Sequence, residues 1–226
     1  MSITPIQITS MNMRHRNPLF FTFLQDTKAD LVLVQEPWFG CINVLCSDTD
    51  PDGMEVLGAT KHADWDFLLP KHSGTDVCKV ACYICHSFAS SPTVSIVQAV
   101  DHELASLTTQ VLEVAIEGMI FCIVNIYHCI PKRGHVLHSL FNHPLDTTIP
   151  TYITGDFNTH SSTWSLPGAT VSSWAAPLEE WFEDSDLTLI SPARQATWKG
   201  NPKKCERDSV LDLSLLNESA LASGRF

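Results

Sequence analysis

A chain of 226 residues, 44% apolar and with a net charge of −11, can bury a sizeable core in one large α/β or β-rich domain. No run approaches the ~18 apolar residues of a membrane span. The N-terminus shows no basic region leading into an apolar stretch, so its eight cysteines are expected as reduced thiols in an intracellular protein. The acidic balance argues against tight, sequence-blind nucleic-acid binding by the whole surface, which needs basic side chains to displace counterions. The local basic clusters, Arg14 with Arg16, Lys132 with Arg133, and Lys199 to Arg207, read as solvated loops.

Ile6 to Thr9 alternates like a half-buried strand and runs into Ser10-Met11-Asn12. Asn17-Pro18 reads as a helix N-cap with Pro at the first helical position, and Leu19, Phe20, Phe23 and Leu24 as that helix's core-facing stripe. Leu31 to Val34 is a continuous apolar run, the pattern of a strand buried on both faces. Pro37 stops it and leaves Glu36 at its lip, either as a strand-terminal acid facing water or as a metal ligand. Residues 39–76, rich in Asp, Gly and Pro, read as irregular. Within them Asp48, Asp50 and Asp52 before Gly53 imitate the start of a calcium loop, but Ala59 stands where the bidentate Glu is required.

Val77 to Phe88 reads as a strand holding Cys78, Cys82, Cys85 and His86. Cys82 to His86 formally matches a haem-attachment motif. Neither haem nor zinc is expected there: alternation sends Cys82 and His86 to one side and Cys85 to the other, and no second ligand pair follows at a suitable spacing. Strands are expected over Thr93–Val100, Leu104–Ile116 and Met119–Tyr127, the last with Asn125 and Tyr127 on one face. Helical stripes recur at Val136, Leu137, Leu140 and Phe141, and at Leu178, Trp181 and Phe182. Leu187–Ile190 and Ser209–Leu216 are the final strands. Many short strands, few helices and no linker point to one layered domain over residues 1–226.

The stretch from Pro150 to His160 carries the chemistry. A β-prone run meets Gly155, and Asp156 and Asn158 follow with Phe157 between them. In an extended chain Asp156 and Asn158 share a face while Phe157 anchors the backbone in the core. A carboxylate that takes a proton from water, beside an amide that donates to a phosphate oxygen, suits phosphoryl chemistry. The alternative is a strand end followed by an Asx turn.

Taken in order, a strand ending in Asn12, Gln35-Glu36-Pro37-Trp38, Asn125-Ile126-Tyr127, Gly155-Asp156-Phe157-Asn158-Thr159-His160 with Trp164, and a strand through Asp212 resemble the endonuclease/exonuclease/phosphatase superfamily. The resemblance covers nearly the whole chain and is nearest to the apurinic-type endonuclease domain of fungal non-LTR retrotransposons. It implies a four-layered α/β sandwich of two mixed, mainly antiparallel sheets packed face to face with helices outside. It also implies that Asn12 and Glu36 hold Mg²⁺ or Mn²⁺, Glu36 directly, and that Tyr127 contacts the scissile phosphate. Asp156 would orient or deprotonate the attacking water, Asn158 would hold a phosphate oxygen, and Asp212 would orient a histidine. His160 and Trp164 would support the site by hydrogen bonding and packing. The implied partners are DNA and a fused or co-encoded reverse transcriptase, with a nuclear location and neither membrane nor haem. The family's closing Ser-Asp-His segment and strand do not follow Asp212 here, so the resemblance implies a C-terminally truncated domain with an incomplete catalytic set and little activity. A phosphatase or phospholipase of the same superfamily and a catalytically dead retroelement remnant are the alternative readings.

Overall fold

The computed structural model describes residues 5–47, 50–71, 76–129, 135–143, 145–199 and 208–226. In chain order the elements are β1 (Ile8–Asn12), α1 (Asn17–Asp26), β2 (Leu31–Gln35), β3 (Phe39–Ser47), β4 (Asp50–Ala59), β5 (Trp65–Leu68), β6 (Val80–Cys85), α2 (His86–Ala89), β7 (Val94–Gln98), β8 (Thr109–Ile116), β9 (Met119–Tyr127), α3 (His135–Asn142), β10 (Thr151–Asp156), α4 (Ala175–Asp184), β11 (Leu187–Leu189), β12 (Asp212–Asn217) and α5 (Glu218–Ser223). They form a first sheet in the order β1-β2-β6-β5, a second in the order β11-β12-β10-β9-β8-β7, and a separate β3-β4 hairpin. The pairs β1/β2 and β9/β10 are parallel and the remainder antiparallel.

The layering follows from strand alternation. Leu31 and Leu33 of β2 point into the core shared by the two sheets, against Leu112, Phe121 and Ile123. Val32 and Val34 point the other way, onto Phe20 and Leu24 of α1. This is why the run is apolar at every position: both faces of the strand are covered. On the far side of the second sheet Val124, Ile126 and Ile153 meet Leu137 and Leu140 of α3 and Leu178, Trp181 and Phe182 of α4. The result is helix, sheet, sheet, helix, the four-layered α/β sandwich. Among the described residues no helix is long and apolar enough to cross a membrane.

Several local expectations are corrected. Within residues 39–76, β3 (Phe39–Ser47) and β4 (Asp50–Ala59) form a long antiparallel pair with register shifts at Cys41/Asn43 and Leu45/Ser47, because cross-strand pairing overrides their poor strand propensity. Asp50 and Asp52 lie in β4, and Asp48 falls outside the described residues. Trp65–Leu68 is likewise a strand. Asn17 does not cap α1 but opens it, and its amide oxygen accepts from the Thr60 hydroxyl at 2.5 Å. With Pro18 in the first turn, one of the N–H groups that a cap would satisfy does not exist. The strand expected over Val77–Phe88 is shorter and turns into α2 at His86. Cys82 is buried with its thiol toward the Tyr83 carbonyl, Cys85 faces the Ser87 hydroxyl, and His86 meets Asp66. The strand expected from Leu104 begins at Thr109. The one expected from Ser209 begins at Asp212 and is followed by α5, whose N-terminus is capped by the Asn217 side chain accepting from the Ala220 N–H at 2.9 Å.

Beside the cleft the sheets are tied together by a buried amide pair, and farther along by buried Gln110 of β8, whose Nε2 donates to the Leu68 carbonyl of β5 at 3.0 Å. Gln35 closes β2 and Asn125 sits in β9; both are 0% exposed. Gln35 Nε2 donates to Asn125 Oδ1 at 2.7 Å, and Asn125 Nδ2 donates to the carbonyls of Val34 at 3.2 Å and Ala81 at 3.1 Å. A single side chain thereby holds the backbones of two first-sheet strands against the second sheet. The approach of β10 to β9 is equally specific. Gly155 pairs with Ile126 at φ 148°, and a Cβ placed on it would lie 1.9 Å from the Ile126 carbonyl oxygen. Gly155→Ala is therefore expected to lower the stability of the fold by about 3 kcal/mol or more, through both overlap and a disfavoured backbone angle. Urea denaturation of the two proteins measures it, and a loss below about 1 kcal/mol would show that β9 and β10 can separate without consequence.

Candidate active site

The site is assembled at the strand ends. Past β1 the chain stays tied to β2 through the Met13 N–H, which donates to the Gln35 carbonyl at 2.9 Å. Asn12 Oδ1 then accepts from the Arg14 N–H at 2.9 Å, closing an Asx turn, and its Nδ2 donates to Asp156 Oδ2 at 2.8 Å. Arg14 and His15 are left-handed, with φ of 48° and 59°. Glu36, one residue past the Gln35–Asn125 clamp, is also left-handed at φ 47°. Its conformation is enforced from both sides: its N–H donates to the Lys79 carbonyl at 2.9 Å, and its carbonyl accepts from the His15 N–H at 3.0 Å. Backbone strain of this kind persists only where the surroundings over-determine it, and it concentrates at functional sites.

The Glu36 carboxylate accepts from the Tyr127 hydroxyl at 2.9 Å, and His15 Nε2 lies 3.8 Å away. Burial, together with the bond and charge of Glu36, holds the Tyr127 phenol well above its ordinary range. Asp156 ends β10 and is 6% exposed. Its Oδ1 accepts from the Asn158 N–H at 3.0 Å while Oδ2 takes the Asn12 amide. Burial, then the neighbouring Asp212, pushes its carboxyl up to about 7 against these two bonds, with Glu36 adding a smaller push. Asp212, the first residue of β12, faces Asp156 in register. Burial raises its carboxyl too, opposed by Thr197 and by the positive charge of Arg14, and its Oδ1 is buried without a hydrogen-bond partner.

Asn158 does not continue the strand. β10 stops at Asp156 and Asn158 is left-handed at φ 46°. Phe157 between them is buried, its N–H donating to the Leu211 carbonyl at 2.9 Å, so the anchoring role read from alternation survives the change of backbone. Asn158 Nδ2 donates to the His128 carbonyl at 2.9 Å. Asn12, Glu36, Tyr127, Asp156, Asn158 and Asp212 all line one cleft of about 920 Å³, and His160 lines it as well. Trp164 is buried behind the cleft, its indole N–H donating to the Thr159 carbonyl at 2.9 Å.

Sequence reasoning missed the basic wall of this cleft. Arg14, Arg16 and Lys199 line it together with Trp198, so two of the clusters read as solvated loops face the site. Lys132, Arg133 and residues 200–207 lie outside the described residues. His128 was also missed. It is buried, its Nδ1 is 2.8 Å from the Phe157 carbonyl, and burial lowers its pKa and keeps the ring neutral. Its place directly after Tyr127 was the only available signal.

The acidic side of the cleft fits a hard divalent cation. Three carboxylates share it, one carboxylate oxygen is orphaned, and burial with the neighbouring Asp212 drives the Asp156 carboxyl toward its neutral form. Among the described residues no group of three or more His, Cys, Asp or Glu side chains is placed to hold a metal ion by itself. An ion here would keep several waters, as Mg²⁺ prefers.

The endonuclease domain of TRAS1, a telomere-specific non-LTR retrotransposon, superposes on 96% of this chain and 88% of its own, with a TM-score of 0.68 at 14% identity. The chain has the endonuclease/exonuclease/phosphatase fold. The AP endonuclease of Leishmania major shares that fold over 96% of this chain and 80% of its own, with a TM-score of 0.64 at 14% identity. A humanized D. rerio TDP2 does so over 94% and 83%, with a TM-score of 0.51 at 11% identity. Residues 121–224, which run from β9 through α5, match the family model described as endonuclease-reverse transcriptase. No curated protein matches the sequence. Within the endonuclease/exonuclease/phosphatase fold, Glu36 comes from the first sheet while Tyr127, Asp156 and Asp212 come from the second.

The raised carboxyl of Asp156 has a consequence for stability. Its folded-state value of about 7 lies above the ordinary 3.8, so its contribution is fully present below about pH 4 and is lost as pH rises through about 7. In metal-free buffer the melting temperature of Asp156→Asn should therefore gain on that of wild type between about pH 5 and pH 8. A constant difference across that range would show that Asp156 is ionised throughout.

Proposed function

We propose that this chain is a divalent-metal-dependent phosphodiester hydrolase acting on DNA, an endonuclease domain of the non-LTR retrotransposon type. The observation that carries this reading is the convergence of Asn12, Glu36, Tyr127, Asp156, Asn158 and Asp212 on one cleft from five separate stretches of the sequence. The likeness in fold to a retrotransposon endonuclease domain supports the substrate class. The endonuclease-reverse transcriptase model match supports a fused or co-encoded reverse transcriptase as partner.

Glu36 and the orphaned oxygen of Asp212, with Asn12 beside them, are the groups that would hold Mg²⁺ or Mn²⁺. When bound there, the ion supplies positive charge to the phosphate oxygens as negative charge builds on them. Asp156 receives the proton of the attacking water. A carboxylate whose pKa is pushed up to about 7 is a stronger base than a surface aspartate and is matched to neutral pH. The Asn12 amide and the Asn158 N–H fix its two oxygens, so the base is held before substrate arrives. The Asn158 amide gives one N–H to the His128 carbonyl, and its second is available to a phosphate oxygen. The Tyr127 hydroxyl, donated to Glu36, orients that carboxylate at the end of β2.

The test is relaxation of supercoiled plasmid with Mg²⁺ or Mn²⁺. Against the little activity that the resemblance implied, the assembled cleft is expected to let wild type nick, and Glu36→Ala and Asp156→Asn are each expected to nick more slowly by about 10²–10³-fold. Nicking that survives Glu36→Ala would reject the cleft as its source. A wild-type protein inert toward plasmid would hand the fold to the remnant reading. One that instead cleaves phosphomonoesters or phospholipids would belong with the phosphatases or phospholipases of the fold.

A further inference from the structure

Resting on the phosphodiesterase reading, we infer that Arg14 is a phosphate-binding residue of the cleft, braced on Trp198 and facing the β12 side of the site. The backbone places it deliberately. Arg14 and His15 are consecutive left-handed residues, at φ 48° and 59°, and neither is glycine. Asn12 Oδ1 holds the Arg14 N–H at 2.9 Å, the His15 N–H is bonded to the Glu36 carbonyl at 3.0 Å, and His15 Nδ1 lies 3.0 Å from the Pro37 carbonyl. Three separate contacts thus fix a turn that would otherwise relax.

The side chain is braced as well. The Arg14 guanidinium sits over the half-buried Trp198 ring, 5.3 Å from its centroid, and both residues line the cleft. Such a contact holds the planar guanidinium at the cleft wall without using its N–H donors. Lys199 is already tied to Asp208 at 3.0 Å, whereas among the described residues no carboxylate stands within ion-pairing distance of Arg14. Its charge still reaches Asp212 and partly offsets the effect of burial there. A chain of net charge −11 whose cleft floor carries three carboxylates repels a polyanion. A cation with free, fork-shaped donors beside that floor is what a phosphate needs.

The test separates binding from chemistry. A fluorescent 20-base-pair DNA duplex is titrated by anisotropy in EDTA over a salt series, with wild type, Arg14→Ala, Arg14→Lys and Trp198→Ala. Arg14→Ala should weaken binding by about tenfold and lower the slope of log affinity against log salt by about one. Arg14→Lys should restore the slope while leaving affinity short of wild type, and Trp198→Ala should weaken binding with the slope unchanged. Unchanged affinity and slope in Arg14→Ala, or no binding by wild type in EDTA, would overturn the inference. If wild type binds as described yet does not nick plasmid with Mg²⁺, the hydrolase reading fails and the role of Arg14 stands. If wild type nicks and Arg14→Ala binds normally, the role of Arg14 fails alone.

Discussion

The hydrogen bond between Gln35 and Asn125 is the constraint on which the cleft depends. Two amides at 0% exposure sit where the two sheets meet. Leaving either unpaired would cost about 1–3 kcal/mol, and the low dielectric around them magnifies any mismatch. Apolar contacts between the sheets would tolerate sliding; the hydrogen bonds of this pair to three defined oxygens do not, although Gln35 Oε1 itself is buried without a partner. Glu36 is the next residue after Gln35, and Tyr127 stands two residues beyond Asn125 on the same face of β9. The clamp therefore sets the first-sheet acid beside the second-sheet phenol, where the 2.9 Å hydrogen bond forms. From there strand register carries the geometry onward. Tyr127 faces Asp156 across the parallel β9/β10 pair, and Asp156 faces Asp212 across β10/β12. Gly155 keeps the first of these steps close, since a side chain at that point would meet the Ile126 carbonyl.

Electrostatics then divides the cleft. Its floor is acidic and partly buried, and its cost is visible in the carboxyls of Asp156 and Asp212, both held above the ordinary range by burial. Its wall is basic and solvent-facing, made by Arg14 and Arg16 from the β1–α1 turn and by Lys199 from the segment before β12. A phosphodiester needs both parts: positive charge to stabilise its oxygens and a basic carboxylate to receive the proton of water. The fold alone does not decide the reaction, because one scaffold hosts several chemistries. The arrangement of side chains narrows the choice.

Much of this was legible in the sequence where information is local. The unbroken apolar run of β2 announced a strand covered on both faces, and the stripes of α3 and α4 announced helices packed on a sheet. Glu36 and Asp156 stood out because each sits where a strand pattern stops. Long-range information was not legible. The Gln35–Asn125 bond joins residues that have no sequence relation except the fold, and Gln35 read only as part of a motif. The strands Phe39–Ser47 and Asp50–Ala59 were hidden because Asp, Gly and Pro mask strands whose stability comes from cross-strand pairing. Arg14 and Lys199 read as parts of unrelated loops, and only the closing of the β1–α1 turn against the segment before β12 brings Arg14 over Trp198. Of the two readings left open after β10, the strand end with an Asx turn holds: the Asn158 N–H closes it on Asp156 Oδ1, and the left-handed Asn158 still lines the cleft.

The central claim is that this clamp-built cleft takes one divalent cation on Glu36. Titration of the metal-free protein with Mn²⁺, followed by the electron paramagnetic resonance signal of the free ion, tests it directly. The account predicts one saturable site per chain, displaced by Mg²⁺ and lost or weakened at least about tenfold in Glu36→Ala. No saturable Mn²⁺ binding by wild type, or binding that Glu36→Ala leaves unchanged, would contradict it.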